Sequence, residues 1–273
     1  MNNILVVSHE RSGTHFLIES ILANISNSVF PKIRPSFSTI ENLLLPHDQD
    51  ITEKWSEFVF NDNGDTKIYK THVTREELLK ALNEEGYLNK SEKNILNAIL
   101  MSSKIVYISR NTEDVMYSLY NFMKNGGALQ NASTQRLEAA DFSQFIRMPN
   151  HHIMPIRAFD WFDYSLPRYH NYHVRSWRDN CDYYINYESL KGSYAEEAYK
   201  LMSFLGTNLK KSKINQPPNP FKNKSLNRLK SFFSDSPSYV LARKGIIGEG
   251  RGLLSEEDKI FISKEKKIVD RNF

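Results

Sequence analysis

The sequence predicts an α/β fold: a single domain over residues 1–273, with a central, mostly parallel β-sheet flanked by helices. Three observations lead there. Short apolar runs alternate with stretches whose apolar residues recur at helical spacing, the pattern of strands joined by crossover helices. No internal repeat and no domain-scale linker interrupts that alternation. The bulk composition, 273 residues with 40% hydrophobic and 25% charged, is that of an ordinary globular chain with room for one large domain or two small ones.

The elements follow in order. Asn3 to Ser8 reads as a buried strand, and Thr14 to Ile25 as a helix with Leu17, Ile18, Ile21, Leu22 and Ile25 on one face. A second strand, Lys67 to Thr71, follows the turn Asn61-Asp62-Asn63-Gly64-Asp65. The third is Lys104 to Ser109. Asn111 is a good N-cap for the helix after it, which runs to about Lys124. Asp182 to Tyr187 is the fourth strand, followed by an amphipathic helix ending near Leu205-Gly206. Two stretches fall outside the pattern: Asn125 to Tyr172, rich in aromatics, His and Pro, and the polar Lys210 to Asp235. In compact domains such excursions are lids or binding loops.

The formal charge of +4 suits an anionic small ligand, and no dense Lys/Arg block marks a nucleic-acid footprint. The lone Cys181 forms no internal disulfide, which fits a reducing compartment and removes thiolate metal sites. The chain enters its first strand directly after Met-Asn-Asn, so no signal peptide is expected. No apolar run approaches the ~20 residues that span a bilayer. These features predict a soluble cytoplasmic protein without a membrane span.

Four short constellations carry chemistry. Ser8 to Leu17, SHERSGTHFL, joins the first strand to the first helix. In a parallel sheet, ligands bind beyond the carboxyl ends of the strands, where such a turn offers backbone N–H groups and the positive end of a helix. Gly13 permits close approach, Thr14 and His15 add donors, and Arg11 adds a permanent forked cation. An ordinary turn with an N-capping Ser or Thr is the competing reading. Lys70-Thr71-His72 ends the second strand, and a His beside a Lys there can act as a general base with a cation at hand; a lone surface His is the alternative. Arg110 to Ser118, RNTEDVMYS, ends the third strand and opens its helix. Arg110 and Ser118 can face a phosphate, or Arg110 can pair with Glu113 or Asp114 while Ser118 merely packs. Arg243-Lys244-Gly245, with Gly248, makes either an anion clamp or a solvated basic loop.

Taken together and in this order, the motifs resemble the sulfotransferases that use 3′-phosphoadenosine 5′-phosphosulfate (PAPS), the cytosolic branch in particular. That family's K-S-G-T-T-W loop reads RSGTHF here, with Arg11 in place of lysine. Its K-T-H is Lys70-Thr71-His72, and its R-N-x-x-D-V-x-x-S is matched at every fixed position from Arg110 to Ser118. Its Y-E-D-L and F-L-G read Tyr187-Glu188-Ser189-Leu190 and Phe204-Leu205-Gly206, its R-K-G-x-x-G reads Arg243 to Gly248, and its H-V-x-x-W helix start reads His173 to Trp177. The resemblance runs from residue 4 to about 258 and implies a P-loop-like fold akin to nucleotide kinases.

It further implies a metal-independent transfer of a sulfuryl group from PAPS to a small-molecule, lipid or carbohydrate acceptor, leaving 3′-phosphoadenosine 5′-phosphate (PAP). His72 would be the base, with Lys70, Arg11 and Ser118 completing the catalytic group. Arg11, Ser12, Gly13, Thr14 and His15 would hold the 5′-phosphosulfate. Arg110, Ser118, Arg243, Lys244 and Gly245 would hold the 3′-phosphate, Phe16 and Tyr187 would enclose the adenine, and Ser225 with Leu226 stand at the family's T-S-F segment. The departures are Arg11 for Lys, His15 for Thr, Phe16 for Trp and Leu226 for a stacking Phe. The family's dimer segment is not recognisable after Gly248, so no oligomeric state is implied. A small-molecule kinase would want a lysine in the loop and a magnesium carboxylate. A silent PAP-binding protein would not need His72. The aromatics Phe142, Phe145, Phe159, Trp161, Phe162 and Tyr164 suit either an acceptor site or, preferentially, a packed lid.

Overall fold

The computed structural model describes residues 3–31, 39–44, 49–124, 140–150, 163–217 and 245–272. Ser225, Leu226, Arg243 and Lys244 lie outside the described residues, as do Phe159, Trp161 and Phe162. The described chain forms two compact units, Met1–Arg110 with His173–Pro217, and Asn111–Tyr172 with Pro218–Phe273.

The first unit carries the sheet. Its strands are β1 (Asn3–Val7), β2 (Ser28–Val29), β3 (Thr66–Thr71), β4 (Ser103–Ser109) and β5 (Tyr183–Asn186). They run parallel in the order β2-β3-β1-β4-β5. β1 is central, and Val7 pairs with both Thr71 and Tyr107. Successive side chains of a strand point to opposite faces. Ile4, Val6, Ile68, Val106 and Ile108 therefore share one core with α1 (Thr14–Leu22), while Leu5, Val7, Tyr69 and Tyr107 enter a second core on the other face. α2 (Gln49–Phe60) supplies Trp55 to that second core. α3 (Arg75–Asn83) supplies Leu78 and Ala81, and α4 (Lys90–Ser102) supplies Ile95, Leu96 and Ile99. Both faces are thus covered, as a parallel sheet requires. All four predicted strands are present with ends within a residue or two; the two-residue β2 is additional.

The fourth strand ends one residue early. Tyr187 opens a short helix, because the Asn186 side chain accepts from the N–H of Glu188 and Ser189. The Asn111 cap is also present, its Oδ1 taking the Glu113 N–H at 3.0 Å ahead of α5 (Thr112–Lys124).

Part of the predicted excursion is helical. Asp141 caps α6 (Phe142–Ile146), accepting from Gln144 N at 2.8 Å. α7 runs Leu166–Arg178, so His173 sits in mid-helix rather than at its start. Pro167 is compatible with that helix, since in a first turn its missing N–H costs nothing. Tyr169 and Tyr172 are buried, as is Phe145, which packs with Val115, Leu166 and Ile262 in the second unit's core. Phe145 is thus a core packing residue. The remaining helices are α8 (Tyr187–Gly192), α9 (Tyr194–Phe204), α10 (Glu249–Leu253) and α11 (Glu256–Asn272). The single helix expected after the fourth strand is therefore broken in two at Ser193. Among the described residues no helix is long and apolar enough to cross a membrane.

Candidate active site

The loop after β1 is shaped by two left-handed residues, Arg11 (φ 68°) and Gly13 (φ 103°). Gly13 is required on two counts. Its φ disfavours a side chain, and a Cβ there would overlap Cδ2 of the Tyr187 ring. Gly13 also occupies the N-cap of α1 with no side-chain capping bond, so the competing reading of a turn capped by Ser or Thr does not hold. Thr14 turns its hydroxyl to Ser8 Oγ at 2.5 Å instead. The first-turn N–H groups of α1 are left for another acceptor. At this end of the sheet, Ser12 Oγ in the turn and Ser109 Oγ at the end of β4 are likewise buried without a hydrogen-bond partner. Each such group costs about 1–3 kcal/mol. An anion with several acceptor oxygens would relieve that cost at Ser12.

His72, just beyond β3, is held at its ring, its N–H and its carbonyl. Nδ1 lies 2.7 Å from the Ser8 carbonyl oxygen, so it must carry the proton and donate, leaving the lone pair on Nε2 when the ring is neutral. The main-chain N–H donates to Glu41 Oε1, which also accepts from Thr71 Oγ1 at 3.3 Å. The carbonyl accepts from Nε2 of the buried His173 at 3.0 Å. The other His173 nitrogen then accepts from the Tyr107 hydroxyl at 2.9 Å. Trp177 Nε1 pins the next residue, donating to the Val73 carbonyl at 2.9 Å.

The electrostatics keep His72 neutral. Burial lowers its pKa, Glu10 and Glu41 oppose that, and Lys70 lowers it again. Lys70 is only 2% exposed, which matters because an ammonium seldom tolerates such burial. Burial lowers its pKa too, against Glu41 and Glu10, and its Nζ lies 5.9 Å from the Phe30 ring centroid. His15 is pushed down to about 3, first by the protein around the ring and then by Lys70, His72 and Arg11. Its side chain reaches solvent, which weakens both effects, and both act in the same direction.

Arg110 reaches the same loop from β4. Its guanidinium stacks over Tyr187 at 4.7 Å and donates to the Arg11 carbonyl at 3.4 Å. Phe16 meets Tyr187 edge-on at 6.0 Å. Lys191, one helical turn past Tyr187, puts its ammonium 5.8 Å from the same ring, and its pKa is lowered by burial and then by Arg110. In the second unit, Ser118 is buried on α5. One turn earlier Asp114 accepts from the N–H of Gly248 at 2.7 Å and of Gly250 at 2.8 Å. Gly245 has φ 59°, a glycine's conformation.

The structure thus brings Arg11, Ser12, Gly13, Thr14, Phe16, Lys70, His72, Arg110 and Tyr187 to one sheet edge. Glu41, Lys191, Ser109 and the His173–Tyr107 pair were missed as site residues. His173 stood in the H-V-x-x-W match without a site role, and Lys191 left a signal four residues after Tyr187 on one helix face.

An all-parallel sheet with a glycine-capped turn after its central strand is a P-loop-like α/β fold. Residues 1–259 match the sulfotransferase domain family, and the chain belongs to it. The fold is that of mouse sulfotransferase SULT7A1 complexed with PAP, at TM-score 0.60 and 20% identity over 99% of this chain and 84% of that one. Retinol dehydratase in complex with retinol and PAP superposes at TM-score 0.60 and 17% identity, over 98% of this chain and 80% of that one. Its complex with androsterone and inactive cofactor PAP gives 0.58 and 16%, with the same coverage of both chains. No curated protein matches the sequence. The chain is a sulfotransferase by family.

Proposed function

We propose that the whole chain acts as one enzyme moving a sulfuryl group from PAPS to a hydroxyl or amine of a small-molecule, lipid or carbohydrate acceptor. The observation that carries this reading is His72: its proton is fixed on Nδ1, its Nε2 carries the free lone pair, and it adjoins the buried Lys70 beside the uncapped end of α1. The orphaned Ser12 hydroxyl and the Gly13 cradle fit a phosphosulfate group. PAPS would supply an activated sulfuryl group. His72 Nε2 accepts the acceptor's proton, and Lys70 with Arg11 stabilises charge on the departing oxygen. Ser12 to Thr14 orient the 5′ end by their N–H groups. Arg110 serves the 3′-phosphate. For Ser118, Arg243, Lys244 and Gly245 the same role rests on the sequence pattern alone. Phe16 and Tyr187 supply aromatic surface for the base, and PAP crystallised with the structural neighbours supports that donor. The lone Cys181 and the absence of a spanning helix among the described residues favour a cytoplasmic enzyme.

The test is an acceptor screen with labelled PAPS and the His72→Ala variant as control. Loss of a general base lowers turnover roughly 10²–10⁴-fold, while PAP affinity stays at the wild-type value. Activity within about tenfold of wild type would sink the base assignment.

A further inference from the structure

Glu41 has no place in the sequence motifs, yet it is the only side chain among the described residues recorded as bonding both Thr71 and the His72 main chain. Its placement is built. It lies in a single 3-10 turn, Ile40–Leu43, whose Ile40 and Leu43 are buried in the core that also holds Val7 and Tyr69. Thr39 N–H closes the turn on Asn42 Oδ1 at 3.1 Å. The anchors fix the turn against the end of β3, and Glu41 between them faces that end. Oε1 takes the two donors, whereas Oε2 is buried without a hydrogen-bond partner. A buried carboxylate oxygen left unpaired is expensive, so the site tolerates it for its field. That field falls on Lys70 and His72, which have no other nearby acid than Glu10 among the influences on them.

We propose that Glu41 is a positioning residue for sulfuryl transfer, holding His72 and Lys70 in working geometry and charge through the β3 terminus. The inference rests on the transferase reading above. The groups facing His72 are Glu10 from the loop, His15 from α1, Lys70 from β3, Glu41 from the 3-10 turn and the buried His173 from α7. Only Glu10 and Glu41 are acidic. Loss of the Glu41 charge therefore moves both titrations the same way. His72 protonates at lower pH, and Lys70 deprotonates at lower pH.

The experiment compares wild type, Glu41→Gln and Glu41→Asp in the full chain. Gln keeps an acceptor for the His72 N–H but loses the charge, while Asp keeps the charge. For Glu41→Gln the expected result is a kcat reduced about tenfold or more, a KM for PAPS within about threefold, and both limbs of the pH–rate profile displaced to lower pH. Glu41→Asp retains the wild-type limbs. A Glu41→Gln profile with either limb unmoved overturns the proposal, whatever happens to kcat. NMR titration of the His72 ring gives a readout independent of turnover: its midpoint falls by about one pH unit in Glu41→Gln, and an unmoved midpoint overturns the proposal. A wild type that transfers no sulfuryl group fails the transferase reading, while the His72 titration still decides whether Glu41 sets its charge.

Discussion

At the scale of the residue, small groups decide what the loop can hold. Gly13 is the sharpest case, because the Tyr187 ring occupies the space of a β-carbon. Gly13→Ala must move either the ring or the loop, and Arg110 stacks on the other side of that choice. PAP affinity is expected to fall about tenfold or more in isothermal titration, about 1.4 kcal/mol per decade. Gly64→Ala is the control, with φ 74° but nothing within 4 Å of a new Cβ, so it tests strain without overlap. Equal affinities for the two variants would remove the packing argument. His15, the oddity of the sequence motif, gains a partial account. Burial, with Lys70 and Arg11 beside it, keeps it neutral at neutral pH, a hydrogen-bonding group rather than a further positive charge.

At the scale of the element, short pieces with strong anchors do the placing. α10 is five residues long and could not stand alone. Asp114 satisfies two of its N-terminal N–H groups, and Gly250 lies so close to Glu113 that a Cβ would overlap the main-chain carbonyl. Asp114→Ala should cost about 2–3 kcal/mol in urea denaturation, the loss of charge-assisted bonds from a buried carboxylate, and Asp114→Asn clearly less. A change below about 0.5 kcal/mol would show the contact to be incidental. The same contrast marks what the sequence could convey. The strands and the Asn111 cap were readable because burial on both faces and cap chemistry leave local signatures. The 3-10 turn bearing Glu41 was not, since one turn has no periodicity and its purpose lies in a strand some thirty residues later. The helical identity of 166–172 was hidden by Pro167 and by aromatics that serve a core as readily as a ligand.

At the scale of the whole molecule, the weak charge surplus of +4 says little about the ligand, and local arrangement says more. A ligand that binds only the folded chain stabilises it by about 2.7 kcal/mol at a hundredfold excess over Kd, which is several degrees in melting temperature for a protein of this size. PAP should give that shift, and ATP with magnesium a smaller one. A larger shift with ATP and magnesium would turn the assignment toward a kinase. The motif residues gathered at the sheet edge carry local sequence patterns, whereas Glu41, His173 and Tyr107 depend on pairings that only the folded sheet creates. The central position of β1 bears also on how the protein is made. β1 must wait for Thr71 and then Tyr107 before it gains both neighbours. The loop behind it waits for Tyr187. At ribosomal rates of ~5–20 residues per second, that last piece follows Gly13 by on the order of ten to thirty seconds. The turn after β1 therefore stays unfinished over that interval, and a chain halted before Tyr187 should bind no PAP.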